Sequence, residues 1–144
     1  MTGRAWLLAV GLALLALGVG HSPAAAQAGL GGVASSVAGA WGRGDADAIA
    51  QSFSEDGVAL HLFDESHPAA GVRQARAALS DLLERGGNAR VSKVEELGGS
   101  PARGFAEIGW DVSSPGAGQV RYVVFLGFVR EDAGWKIAEI RVLR

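Results

Sequence analysis

GFAEIGWDVSSPGAGQVRYVVFLGFVREDAGWKIAEIRVL, residues 104–143, decides the fold. Residues 104–113, 119–130 and 135–143 are rich in Val, Ile, Phe, Trp and Tyr, the side chains that suit a pleated, half-buried surface. Between them lie Ser114-Pro115-Gly116-Ala117-Gly118 and Glu131-Asp132-Ala133-Gly134, whose Gly, Pro, Asp and Ser are turn formers. A fourth run, residues 90–97, precedes them across Gly98-Gly99-Ser100-Pro101. Four consecutive strands with short links predict an antiparallel meander.

Upstream the period changes from two to 3.6. Leu30, Val33, Ala34, Val37, Ala38 and Trp41 form one apolar stripe at helical spacing. Gly42-Arg43-Gly44 breaks this helix, and Asp45 stands as the N-cap of a second, short one carrying Ala46, Ile49, Ala50 and Phe53. Residues 58–63 read as a short strand and residues 64–71 as a polar loop with His67 and Pro68. Val72, Ala75, Leu79, Leu82 and Leu83 then mark a third helix, closed by Gly86-Gly87. Helices first and strands after make an α+β domain.

The first residues have a different character. Arg4, the apolar run 5–19 and the small-residue stretch Pro23-Ala24-Ala25-Ala26 follow the order of a secretory signal, with cleavage expected after Ala26. The run is shorter than the roughly 20 residues a membrane span needs, so no stable membrane insertion is expected after cleavage. Residues 1–26 are therefore read as signal and 27–144 as a single domain, exported to the periplasm or beyond.

Composition removes several function classes. The chain has 13 Lys and Arg against 15 Asp and Glu, and loss of Arg4 leaves 12 basic residues, so no basic face is available for nucleic acid. There is no cysteine, which excludes disulfides, thiol catalysis and Cys-ligated metal. Gly116-Ala117-Gly118 lies between strands with no Lys-Ser or Lys-Thr after it, so it is not a phosphate loop, and no nucleophile elbow occurs. His61-Leu62-Phe63-Asp64-Glu65-Ser66-His67 holds two imidazoles and two carboxylates at a spacing that matches no metal motif. No metal and no cofactor is expected.

The order helix, short helix, strand, helix and four long strands resembles the nuclear transport factor 2-like, or SnoaL-like, superfamily. Trp41-Gly42-Arg43-Gly44-Asp45-Ala46-Asp47-Ala48-Ile49, Gly71-Val72-Arg73-Gln74-Ala75-Arg76-Ala77-Ala78-Leu79 and Gly134-Trp135-Lys136-Ile137 carry the likeness locally. The end of the chain, from Trp135 to Val142, is similar to that of an exported bacterial family of unknown function. The resemblance implies a curved, cone-shaped antiparallel sheet wrapped around the N-terminal helices, often with a pocket inside and often a homodimer. It implies no activity, because one fold hosts unrelated chemistries.

Regular hairpins would set Asp111 against Arg121, Trp110 against Tyr122, Tyr122 against Leu143 and Val124 against Arg141. Trp110, Tyr122, Glu139 and Arg141 would then share one face, where the charged pair could orient a small hydrophobic or anionic ligand under an aromatic wall. Glu107 would be the deepest acid of the opposite face, and His61 would sit near a cone mouth. Both faces are apolar through the middle of the sheet, so a second subunit is expected on the face the helices leave open. The chain thus reads as a ligand-binding or dimeric association domain. The alternative is an isomerase-, dehydratase- or hydrolase-type enzyme using Glu107, Glu139 or His61 as acid or base. N-terminal sequencing of exported material should begin at Gln27 or within about two residues of it; intact precursor in the membrane fraction would contradict the reading.

Overall fold

The computed structural model describes residues 29–144, so the signal reading of residues 1–26 lies outside the described residues. Helix α1 spans Leu30–Arg43 and buries Leu30, Ala34, Val37, Ala38 and Trp41, the stripe read from the sequence. It ends in a Schellman motif: Gly44 takes φ 69°, its N–H donates to Trp41 O, and the Asp45 N–H donates to Ala40 O. The Asp45 carboxylate then caps α2 (Ala46–Ala50), accepting from the Ala48 N–H at 3.0 Å. One residue after another thus closes a helix and opens the next, which fixes the angle between α1 and α2. Helix α3 (Val72–Leu83) buries Ala75, Leu79, Leu82 and Leu83.

Six strands form one curved, unclosed sheet in the order β2-β1-β6-β5-β4-β3. They are β1 (Val58–Leu62), β2 (Glu65–Ala70), β3 (Asn88–Gly98), β4 (Arg103–Ser114), β5 (Gly118–Glu131) and β6 (Gly134–Leu143). The α+β class and the meander β3 to β6 are as read from the sequence. Two features differ. Strand β1 joins the sheet parallel to β6, with Leu60 beside Ile140, so one pairing of the sheet is not antiparallel. The segment expected as a polar loop is the edge strand β2, paired with β1. It has no apolar alternation because only Ala70 is buried, and Pro68 is tolerated on an edge, where no ladder bond is demanded on the open side.

The register of β4 and β5 is the expected one, with Asp111 opposite Arg121 and Trp110 opposite Tyr122. Strand β6 departs from it. Phe128 faces Ile137, but the next pair is Gly127 with Glu139, so Ala138 is an extra residue and the ladder beyond it is shifted by one. Val123 therefore meets Leu143 and Phe125 meets Arg141. The cause is burial: the bulge turns Ile140 and Val142 inward, 0% and 4% exposed, and sends Arg141 and Leu143 out. A regular ladder would have driven two charged side chains into the core.

The covered face of the sheet and the three helices share one hydrophobic cluster, in which Trp41, Trp110, Leu60, Leu79, Ile108, Leu126 and Ile140 are the bulk. Two glycines are demanded by close approach. At Gly104 a Cβ would stand 2.4 Å from Leu30 Cδ2, so the bare backbone of β4 is where the start of α1 lies down. At Gly87, with φ +110°, a Cβ would stand 2.3 Å from Asp111 O, because the α3–β3 link crosses directly over β4. Gly87→Ala should lower stability by about 2–3 kcal/mol in denaturant unfolding, whereas Gly86→Ala, with open space around it and a similar sign of φ, should cost about 1 kcal/mol; equal costs would contradict the crossing.

Candidate functional site

The bulge separates the residues that the sequence had grouped. Trp110 is fully buried, packed edge-on against Trp41 with centroids 5.6 Å apart, and its indole N–H donates to Gly86 O at 2.9 Å. Tyr122 leans on it at 5.5 Å, Phe63 meets Tyr122 at 5.1 Å, and the Arg85 guanidinium lies 4.8 Å over Phe63. This aromatic series runs from the centre of the core to its rim, so the rings that were expected to line a pocket are packed against one another. Phe63 takes φ 56° at the tip of the β1–β2 hairpin, a position that favours glycine, and is held there by the two side chains that sandwich it.

Glu139 and Arg141, expected beside Trp110 and Tyr122, lie on the opposite face of the sheet. The correction follows from Ala138 alone. The change of parity brings four of the six candidate residues together instead: His61, Glu107, Glu139 and Arg141 share the outer face, the one that the helices do not cover. The Arg141 Nε–H donates to the Glu139 carboxylate, and His61 Nε2 stands 3.8 Å from the same oxygen. His61 Nδ1 lies 3.1 Å from the Ser66 hydroxyl. A shallow cleft of about 330 Å³ is bounded here by Glu107, Val123, Phe125, Glu139, Arg141 and Leu143.

Aromatic surface accompanies these charges. Phe105 and Phe125 stack at 5.5 Å with their planes 23° apart, and Lys93 sits 5.3 Å from the Phe105 ring. Gly127 is covered by neighbours: a Cβ there would meet Glu139 Cβ at 3.2 Å and Phe125 Cε1 at 3.7 Å. Val123 and Leu143 remain 38% and 53% exposed, large apolar groups left in water by this single subunit. Farther along the face Arg121 grips Asp111 with two bonds of 2.7 and 2.9 Å. These hydrogen bonds, with the Arg121 charge, hold the Asp111 carboxyl below its ordinary value. Whatever stability the pair adds is present above the ordinary Asp range and fades as pH falls through the depressed value, and its exposure to water keeps that small.

The interior has no counterpart to this polarity. Among the described residues the one buried polar side chain outside the apolar core is Ser54. Surface clefts are lined by α1 with the β5–β6 turn, by the β1–β2 hairpin with α3, and by the outer face. No group of three metal-type ligands comes together among the described residues. The two imidazoles have separate neighbours, His67 standing 3.9 Å from Glu65 and accepting at Nδ1 from the Gln74 side-chain amide at 3.3 Å.

Sequence reasoning passed over Ser66 and Phe63, both hidden in a segment read as loop or strand end. It placed Glu107 on the face opposite Trp110 but lacked the neighbours that the bulge supplies. The signal was present in β6: Ile137, Ile140 and Val142 are not all at even spacing, a break in alternation that an extra residue explains.

No family profile and no curated protein matches the chain. Solved structures do. A DUF4783 family protein from Bacteroides ovatus superposes with a TM-score of 0.61 at 16% identity, covering 74% of this chain and 90% of its own. A nuclear transport factor 2-like protein of unknown function from Shewanella oneidensis gives 0.57 at 20%, covering 76% and 92%. A ketosteroid isomerase-like protein from Erwinia carotovora atroseptica gives 0.61 at 17%, covering 78% and 91%. Likeness at such identities speaks for architecture alone, and the architecture of this chain is the nuclear transport factor 2-like α+β cone.

Proposed function

We propose that the protein is an exported, non-catalytic association domain that pairs with a second copy of itself through the outer face of its sheet. The observation that carries this reading is the contrast between the two faces. One is sealed by helices over a filled core, while the other carries the stacked, half-buried Phe105 and Phe125 with the exposed Val123 and Leu143. A two-fold interface needs a patch complementary to itself. This patch offers aromatic surface with both signs of charge, Arg141 paired with Glu139 and Glu107 beside them. Aromatic rings at the centre and a charged rim are the composition that stable interfaces favour.

The acid–base reading is the second one, favoured by His61 beside Glu139 and Ser66. It is the weaker because catalysis by such groups gains most in a site from which water is excluded. Here both the His61 and Glu139 side chains, 39% and 28% exposed, stand on an open sheet face. Covering that face with a second subunit would bury them, so association and catalysis by these residues compete for one surface.

Sedimentation equilibrium of the processed protein at micromolar concentration should show a dimer. Phe125→Glu should weaken it by roughly 30-fold or more, the effect of losing one central interface anchor. A monodisperse monomer for the unmodified protein would sink the proposal.

A further inference from the structure

Another part of the surface has a chemistry of its own, independent of the outer face. Between α1, α2 and the β5–β6 turn lies a half-open cleft of about 480 Å³. Val37, Ser36 and Arg43 of α1 form one side, and Ser52, Trp135 and Lys136 contribute to the other. No carboxylate lines it, although the chain carries more acidic than basic residues. Neither Arg43 nor Lys136 takes part in an ion pair among the described residues.

Neither cation is neutralised by a carboxylate among the described residues. The Lys136 ammonium donates to Gln51 O at 3.1 Å, which fixes it at the cleft and leaves two of its three protons for another acceptor. The Arg43 guanidinium folds back along α1 over Gly39, where a Cβ would come within 3.3 Å of it. Trp135 lines the cleft as well and is 4% exposed; its indole N–H, like that of Trp41, has no acceptor among the described residues, whereas that of Trp110 is satisfied by Gly86 O. Two cations without a counter-charge, at a cleft that no carboxylate lines, ask for an anionic group.

The neighbourhood narrows the choice of anion. Lys136 also borders an acidic cleft carrying Glu55, Asp56, Glu131 and Asp132. Attraction to the cleft grows in proportion to the charge of the head, whereas the cost of desolvating it grows with the square of that charge, which disfavours a doubly charged phosphate where these four carboxylates offset the two cations. The apolar part of the lining, Val37 with the Trp135 ring, suits a short hydrocarbon body. We propose that this cleft binds a small monocarboxylate, its head between Arg43 and Lys136 and its body against Val37 and Trp135.

The test is a titration of the ¹⁵N-labelled protein with sodium benzoate and, as a neutral isostere, benzamide. The Trp135 indole resonance should move saturably with benzoate and stay still with benzamide, and the Trp110 indole resonance should not move with either. Arg43→Gln and Lys136→Gln, both at surface positions, should each weaken benzoate binding roughly tenfold with the rest of the spectrum unchanged. Four results would overturn the proposal: no movement at Trp135, an equal response to benzamide, unchanged affinity in both variants, or movement at Trp110 in place of Trp135.

Discussion

The extra residue at Ala138 is the constraint on which the rest of the molecule depends. Before it, Ile137 points into the core opposite Phe128; after it, Ile140 and Val142 do, where unbroken alternation would have called on Glu139 and Arg141. The same shift lets β1 lie parallel to β6 with Leu60 beside Ile140, so that the two inward rows of apolar side chains coincide. The chain that leads into β1 is tied to β6 just before the bulge. Ile137 accepts from the Ser54 N–H at 2.9 Å and donates to Ser52 O at 2.6 Å. Helix α2, strand β1 and the end of the chain are therefore positioned by one irregularity of the ladder. Bulges commonly serve this purpose, re-aiming side chains where a regular strand would misplace them.

Consequences for function follow from which face each side chain reaches. The covered side of the sheet is occupied by Trp41, Trp110 and the aliphatic residues around them, with Tyr122, Phe63 and Arg85 stacked outward to the rim. Packing these rings against one another gives the covered side the density of a protein core. On the outer face His61, Glu107, Glu139 and Arg141 accompany half-buried aromatic and exposed aliphatic groups, and a separate cleft beside Trp135 is lined by Arg43 and Lys136. These two surfaces have different lining residues and can be occupied independently.

Much of this was legible in the sequence, for identifiable reasons. The α1 stripe, the Asp45 cap and the turn clusters around Gly116 and Asp132 are local signals, and local signals set the elements and the β4–β5 register. Strand β2 was not legible because it is exposed almost throughout and owes its conformation to the neighbouring edge of β1. Glu139 and Arg141 were read on the face of Trp110 and Tyr122 and lie on the other. His61, Glu107, Glu139 and Arg141 do converge, but register is a property of a pair of strands, and a single inserted residue reverses every assignment beyond it. Trp110 and Tyr122 were singled out as large aromatic side chains, and the same bulk makes them core.

Ala138 reverses the parity of β6. The chain has no cysteine, so single thiols can report on it without background. Glu139→Cys, Ile140→Cys, Arg141→Cys and Val142→Cys, each made in the Phe125→Glu background so that the outer face stays uncovered, would be challenged with a water-soluble thiol reagent under native conditions. The bulged strand predicts rapid labelling of the first and third variants, and protection of the second and fourth until the protein is unfolded. The opposite alternation, with thiols at positions 140 and 142 reacting first, would restore the regular ladder and contradict the account.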